Sequence, residues 1–377
     1  METRATHIAT QDVPFVDLRP GSAELNEAIL TDIAALLESM TFHYGAQLHE
    51  FEAAFADYCT ARYCVGMSSG VDALRLALLA AGIEQGDEVI VPANTFIATF
   101  EAIHQAGGRP VPVDASDEDY NIDSALIQPA LSGRTRFIVP VHLYGQMADM
   151  RPIIELARQF GLEVIEDACQ AHGAERDDLR SGAVGRAGAF SFYPSKNLGA
   201  AGDAGAVVTD DAELAEKMRA LRHHGETRTY HSEFEGYTAR LDTIQAIVLL
   251  HKLPHLDSWN EQRRSASAYY SEALDGIGDL RLPPVAARSK PVWHLYVVRT
   301  ADPVALEAYL AERKIGTKRH YPEPPHLSGA YAWLGHGRGD FPRTEALADE
   351  ALSLPIFPGI SEAQLDAVAA AVADYFA

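Results

Sequence analysis

Positive charge is scarce in this chain. Thirty-one Lys and Arg stand against 53 Asp and Glu, a net charge of -22. So acidic a protein is not built to bind a polyanion, whose receptor needs a basic face. Any anionic ligand must be held by a local cluster of cations or by backbone N–H groups. Long apolar runs are also missing. The longest uncharged stretch, Val89–Phe100, covers about 12 residues, too few to span a bilayer. The first residues, METRATHIATQDVPF, contain no apolar h-region, so no secretory signal is expected. Only three cysteines occur, Cys59, Cys64 and Cys169, and they make neither a spaced metal motif nor an even disulfide set. No G-x-G-x-x-G turn follows the early strand, which counts against a nicotinamide-dependent oxidoreductase. There is no internal repeat and no low-complexity tract. Together these absences lead to the expectation of a soluble cytoplasmic enzyme that binds no metal, nucleic acid or membrane.

The chain is long enough for a sizeable core. Its 377 residues, 47% of them apolar, suit two or three average domains or one large α/β domain with a smaller one attached. Residues 1–20 read as an arm, with the apolar patch Pro14–Leu18 before the polar start Pro20-Gly21-Ser22. Apolar spacing predicts helices over Ala23–Met40 and Leu48–Tyr58. Strands are then predicted at Tyr63–Met67, Glu88–Val91, Arg109–Val113, Arg136–Val141 and Glu163–Ile165. Between them lie helical segments at Val71–Ala81, Ala93–Gln105, Ser124–Leu131 and Met150–Phe160. This alternation means βαβ units and a mostly parallel sheet, an α/β fold flanked by helices. Strands at Ala189–Phe192 and Ala206–Val208, a helix at Ala212–Leu221, and a long helix from Leu241 continuing beyond Pro254 follow. After about residue 256 the pattern changes. Strands Leu280–Leu282 and Val292–Val298, helix Pro303–Arg313 and helix Leu365–Phe376 read as a smaller α+β domain. The expected division is 1–255 and 256–377.

Ligands of such sheets sit beyond the carboxyl ends of the strands, so Phe96, His142, Asp167, Ser191 and Lys196 are the residues to inspect. Lys196 is the only cation between Arg186 and Lys217, in a run of Gly, Ser and Ala. An amine in a tight, partly dry loop has a lowered pKa and becomes a nucleophile toward aldehydes; the competing reading is a solvated surface lysine. Ser68-Ser69-Gly70 turns a strand into a helix N-terminus. It is either an anion site or a simple cap. Asp167, in VIEDACQAHG, either pairs with a cationic ring nitrogen or caps a helix, and Gln170 and His172 are close enough to add hydrogen bonds. Phe96 is either a flat lid over an aromatic ligand or a core residue. The cation-rich stretch from Arg222 through Arg228 to Arg240 is either a solvated face or an anion receiver. Lys318–Tyr331, stiffened by its prolines, is either an exposed loop or a substrate-gripping lip carrying Lys318, Arg319, His320, Tyr321 and His326.

Four motifs now stand in order: SSGVDAL, PANTFIAT, EDACQAHG and SFYPSKNLG. With Arg240-Leu241-Asp242-Thr243-Ile244-Gln245-Ala246 and His320-Tyr321-Pro322, they closely resemble the DegT/StrS nucleotide-sugar aminotransferases, pyridoxal-phosphate enzymes of the aspartate-aminotransferase type. The resemblance covers about residues 13–376. It implies a large cofactor-binding domain with a small C-terminal domain, and pyridoxal 5'-phosphate as cofactor. It implies that Lys196 forms the Schiff base and moves the proton, that Asp167 keeps the pyridine nitrogen protonated, and that Gln170 bonds the ring oxygen. Phe96 would stack on the ring, and Ser69, Gly70, Val71 and Ser191 would hold the phosphate. Two positions depart from the family: Thr238, where an Asn usually reaches the neighbouring subunit's phosphate, and Ala204, where a glycine is usual.

The resemblance further implies ping-pong transamination of a keto-deoxysugar carried on a nucleotide, dTDP being the expected one, with L-glutamate as donor and a homodimer as the working unit. Arg222, Arg228, Lys318 and Arg319 are the candidates for the diphosphate, and His320, Tyr321 and His326 for the sugar. The run Val141–Met150 and the segment Arg222–Gly225 look more like members that aminate C3 than those that aminate C4 of a 4-keto-6-deoxysugar, which is the alternative. A non-catalytic, cofactor-binding regulatory relative is the alternative from a different class. Relatives that use pyridoxamine phosphate as dehydratases carry His at the lysine position, and Lys196 argues against that class.

Overall fold

The structure, a computed structural model, describes residues 12–19 and 23–377. The predicted start at Pro20-Gly21-Ser22 and the first eleven residues of the arm lie outside the described residues. A seven-stranded sheet forms the centre. Its strands are β1 (Tyr63–Met67), β2 (Glu88–Pro92), β3 (Arg109–Val113), β4 (Thr135–Ile138), β5 (Glu163–Asp167), β6 (Ala187–Ser191) and β7 (Gly205–Thr209). They lie in the order β1-β7-β6-β5-β4-β2-β3. The β2–β3, β2–β4, β4–β5 and β5–β6 pairs are parallel, and β7 runs antiparallel to both its neighbours. The mostly parallel sheet is therefore as expected.

Burial on both faces explains the apolar strands. Alternate residues of one strand enter different cores, because successive side chains point to opposite faces. Val65 and Met67 of β1 and Val207 of β7 join a cluster with the helices Gly70–Ala81, Ile97–Gln105 and Ala212–Leu221. Cys64, Val208 and Phe190 point the other way, into a cluster with Phe51 and Phe55 of the helix Ala46–Tyr58 and with Leu249 of the helix Thr243–Lys252. The helix Met150–Phe160 covers the β4–β5 region through Met150, Ile153 and Ala157.

A separate apolar cluster gathers Tyr270, Tyr296, Val298, Leu306, Leu310, Leu352, Leu354, Val368 and Val372 around two antiparallel strands, Tyr296–Arg299 and Ala351–Leu354. Val13 belongs to it, bridging in parallel to Ile315, so the end of the arm crosses onto this second unit. We propose the division at the 3-10 turn Leu253–His255, which separates the helices Thr243–Lys252 and Leu256–Ala273. Two predicted strands fare differently here. Leu280–Leu282 contributes only an isolated bridge, Arg281 to Arg299, and Val292–Val298 yields a strand that begins at Tyr296. The second strand, Ala351–Leu354, follows directly on the helix Pro342–Glu350, and neither carries a turn signal that separates them.

Arg222 serves the fold. It is 2% exposed; its Nη1 donates to Glu52 Oε1 at 2.6 Å and to the Gly66 carbonyl at 2.7 Å. Glu52 Oε1 also accepts from the Gly66 N–H at 2.8 Å, so this buried pair ties the helix Ala46–Tyr58 to β1. A guanidinium spent on a buried carboxylate is not available to a substrate diphosphate.

Candidate active site

The carboxyl ends of β1, β2, β4, β5 and β6 meet around one cavity of about 470 Å³. Ser69, Gly70 and Val71 follow β1; Thr95, Phe96 and Thr99 follow β2; Val141 follows β4. Asp167 ends β5, with Cys169 and Gln170 after it, and Ser191 ends β6, with Tyr193, Ser195 and Lys196 after it. His294, His320 and Tyr321 close the cavity from the second unit. One floor of strand ends thus brings together residues spread from Ser69 to Lys196.

Asp167 is fixed from four sides. Its N–H donates to the Pro140 carbonyl at 2.9 Å and its carbonyl accepts from His142 N–H at 3.0 Å. Its Oδ2 accepts from Thr99 Oγ1 at 2.9 Å, and its Oδ1 from Cys169 N–H at 3.2 Å. Thr99 is in turn hydrogen-bonded to Thr95 at 2.8 Å. The carboxylate is 7% exposed and retains lone pairs for a donor in the cavity. Across from it, burial pushes the Lys196 amine below the usual lysine pKa, opposed by the nearby Cys169 and Asp167. A neutral, nucleophilic amine is therefore reached at lower pH than for a surface lysine.

The start of the helix Gly70–Ala81 is suited to seat an anion. Ser69 is its N-cap, with Oγ accepting from Asp72 N–H at 3.1 Å, and helix geometry leaves the N–H groups of Gly70 and Val71 without intrahelical acceptors. Ser68 is engaged elsewhere, donating to the Asp72 carboxylate. Glycine at 70 is required by close approach: a Cβ there would lie 2.6 Å from Ser191 Cβ and 3.0 Å from Cys169 Sγ. Phe96 is 48% exposed, resolving the choice against the core; its ring stands 5.1 Å from that of Tyr321.

The model of the DegT/DnrJ/EryC1/StrS aminotransferase family matches residues 23–373. The chain belongs to this family. It is 46% identical over 366 residues, 97% of each chain, to the dTDP-3-amino-3,4,6-trideoxy-alpha-D-glucose transaminase of Streptomyces venezuelae. Its fold is similar to that of the crystal structure of S. venezuelae DesV, with a TM-score of 0.94 and 46% identity, covering 97% of this chain and 98% of that one. It is also similar to NtdA from Bacillus subtilis, solved with bound cofactor PMP, with a TM-score of 0.89 and 31% identity over 96% of this chain and 84% of that one. The protein is thus an aminotransferase, and its cofactor is pyridoxal phosphate.

The cavity of this aminotransferase suits that cofactor on its own geometry. Free helix N–H groups and the Ser191 hydroxyl suit a phosphate. A fixed carboxylate suits a ring nitrogen, an exposed aromatic suits a ring face, and a desolvated amine suits an aldehyde. Gln170 is 5% exposed and spends its Oε1 on Tyr144 N–H, at 2.7 Å, and one Nε2 hydrogen on Tyr321 OH, at 3.0 Å. Its second Nε2 hydrogen is the group left for a ring oxygen.

Most of the predicted cations are not in the cavity of their own chain. Besides Arg222, Arg319 donates to the Ala348 and Asp349 carbonyls, satisfying the end of the helix Pro342–Glu350. Lys318 is exposed, its Nζ 5.5 Å from the Phe15 ring centroid, and Arg228 is exposed on the hairpin Glu226–Ser232. His326 is 1% exposed, with Nε2 on Glu345 at 3.3 Å and its ring against Phe341. Thr238 is exposed beside His223. His142, at the end of a predicted strand, is fully buried and bound through Nε2 to Glu166 at 2.8 Å, away from the cavity. Lys196 is the single Lys or Arg among the described residues that line the cavity.

Sequence reasoning missed Thr95, Thr99, Cys169, Tyr193, Asp203 and His294 as cavity residues. Thr95 and Thr99 lay in plain view in PANTFIAT, where the i,i+4 spacing at a helix start could have paired them. His294 was hidden inside an apolar segment that reads as a continuous strand.

His172 makes none of the hydrogen bonds its position suggested. It is fully buried against Phe190 and Phe192, with neither ring nitrogen hydrogen-bonded among the described residues, and burial pushes its pKa down to about 3. The unfolded chain, where His titrates near its ordinary 6.5, binds the proton first as pH falls. Stability is therefore complete above pH 6.5 and lost progressively below it. Urea denaturation at pH 7 and pH 5, where carboxylates remain mostly ionised, checks this. The His172→Phe variant should lose roughly 2 kcal/mol less than the parent on acidification; an equal loss in both would show that His172 is not held neutral.

Proposed function

We propose that this enzyme transfers an amino group from L-glutamate to C3 of a keto-deoxysugar carried on a nucleotide, dTDP being the expected one, and works in the cytoplasm as a homodimer. The observation that carries the reading is the presence of Lys196 and Asp167 in a single cavity, together with the N-terminus of the helix Gly70–Ala81. The C3 assignment is supported by the name of the S. venezuelae relative, a 3-amino sugar transaminase.

When bound, pyridoxal phosphate supplies an aldehyde carbon and a ring that withdraws electrons from the carbon being aminated. Each residue then has a task. Lys196 Nζ holds the cofactor and, once released, carries the proton between the two carbons. Asp167 accepts the hydrogen on the ring nitrogen, and its bonds from Thr99 and Cys169 keep it aimed. Ser69, Gly70, Val71 and Ser191 hold the phosphate; Phe96 covers the ring face; Gln170 steadies the ring oxygen. Tyr321 and His320 form the wall that faces the sugar.

The homodimer answers a deficit. A sugar nucleotide brings a diphosphate, yet this chain's cavity offers it no cation beyond Lys196. The exposed 222–240 segment, with Arg228 and Thr238, would complete the partner's cavity. Exposed Leu30 (65%), Leu37 (54%), Met40 (69%) and Tyr230 (91%) give apolar surface for the contact.

The test is an assay of 3-keto and 4-keto deoxysugar nucleotides with glutamate. The 3-keto sugar should be aminated, and Lys196→Ala should lower the rate by ~10²–10⁴-fold. Preference for the 4-keto sugar would move the reaction to C4. Undiminished turnover in the variant would remove Lys196 from the chemistry. Sedimentation should give twice the 41.0 kDa chain mass; a fully active monomer on dilution would rule out the shared site.

A further inference from the structure

Two buried amides determine the protonation of a histidine that lines the cavity. Asn260 Nδ2 donates to the His172 carbonyl at 2.9 Å, so Asn260 Oδ1 is the acceptor for Asn197 Nδ2, also at 2.9 Å. Asn197 Nδ2 gives its other hydrogen to the Val292 carbonyl at 2.8 Å. Backbone carbonyls only accept, so both amide orientations are forced. Asn197 Oδ1 is then an acceptor, and the group 3.2 Å from it is His294 Nδ1. Nδ1 must carry the hydrogen. Nε2 of the neutral ring is left with its lone pair and makes no hydrogen bond among the described residues. Burial, with the charges of Lys196 and Arg263, holds the ring well below the usual histidine pKa, which keeps that lone pair free.

The same reasoning applies to its neighbour on the wall. Tyr144 N–H must donate to Gln170 Oε1, so Gln170 Nε2 donates to Tyr321 OH, and the phenol hydrogen remains to be given. The wall from the second unit thus offers a free acceptor at His294 Nε2 and a free donor at Tyr321 OH; His320, its third residue, has Nδ1 on Ser353 Oγ at 2.8 Å, and because a hydroxyl can give or take a hydrogen its tautomer is not fixed in the same way. A cation would find no charge there, and an anion no donor at His294. Both face one cavity, and the complement of an acceptor and a donor is a ligand that carries a hydroxyl and a carbonyl oxygen. The side chain that pins His294 belongs to Asn197, the residue after Lys196, so the acceptor is tied to the same loop as the reacting amine.

We propose that His294, through Nε2, accepts a hydrogen bond from a sugar hydroxyl flanking the keto carbon and so selects substrates that carry that hydroxyl. This rests on the keto-sugar reading given above.

The substitution His294→Asn isolates the effect. The asparagine amide takes the place of Nδ1 and can still donate to Asn197, but nothing replaces Nε2. The holoenzyme is assayed with the accepted keto-deoxysugar nucleotide and with analogues that each lack one flanking hydroxyl. For the parent, kcat/KM should fall by about 10- to 100-fold on one analogue. His294→Asn should show that fall on the full substrate and no further fall on the analogue. Its glutamate half-reaction, followed by the cofactor's absorbance, should fall by much less than its sugar half-reaction. His294→Gln, which places an amide oxygen near the Nε2 position, should recover part of the discrimination, and it carries the test if the asparagine variant does not take up cofactor. Discrimination equal to the parent's in both variants, or equal losses in both half-reactions, overturns the role and leaves His294 as support for the loop. If the parent aminates no keto-deoxysugar nucleotide, the substrate reading itself fails and this proposal falls with it.

Discussion

An amine and a carboxylate held in one partly dry cavity, without being allowed to neutralise each other fully, are the constraint on which this structure depends. Burial costs the Lys196 ammonium its hydration, and the attraction of Asp167 only partly offsets that cost, so the amine's pKa falls. Asp167 is kept from swinging toward the lysine by its bonds from Thr99 Oγ1 and Cys169 N–H. The sheet exists, in functional terms, to hold these two groups at neighbouring strand ends. β5 and β6 pair in parallel from Ile165–Ala187 to Asp167–Ala189, which fixes how far Asp167 can lie from the loop that carries Lys196.

Neutrality extends beyond the pair. His320 is pushed down to about 4 by burial, with Lys318 and Lys196 adding to the effect, and His294 is held neutral in the same way. The wall from the second unit is therefore polar but uncharged. That suits a sugar, which offers hydroxyls and no charge, and leaves the diphosphate to be met elsewhere. In a chain with a net charge of -22, cations placed at random would not serve. Several arginines are already spent inside the fold, Arg222 on Glu52 and Arg176 on Asp119. The shortage of cations in the cavity and the exposed Leu30 and Leu37 of the helix Asn26–Ser39 both support the homodimer proposed above.

Much of the large unit was legible in the sequence because its strands are buried on both faces and bounded by turn residues. Tyr63–Met67 and Arg109–Val113 fall at the predicted bounds, as do the helices Met150–Phe160 and Ala212–Leu221. The strand-end rule then led directly to Phe96, Asp167, Ser191 and Lys196. The second unit was harder. Its core is built from short elements, such as Ala351–Leu354, that run on from a helix with no glycine or proline between them. The cations misled for a physical reason: composition shows that an arginine is present but not whether a buried carboxylate such as Glu52 or a helix end already holds it. His294 was invisible because its role depends on the amide orientations of Asn197 and Asn260, which lie 97 and 34 positions away in the chain.

Everything proposed for this enzyme requires Lys196 to be the residue that bears the cofactor. Borohydride reduction of the purified holoenzyme, followed by digestion and mass spectrometry, tests it most directly, because reduction fixes the cofactor permanently to whichever amine holds it. The label is expected on the peptide containing Ser195-Lys196-Asn197 and on no other. A label on a different lysine, with Lys196 unmodified, would contradict it.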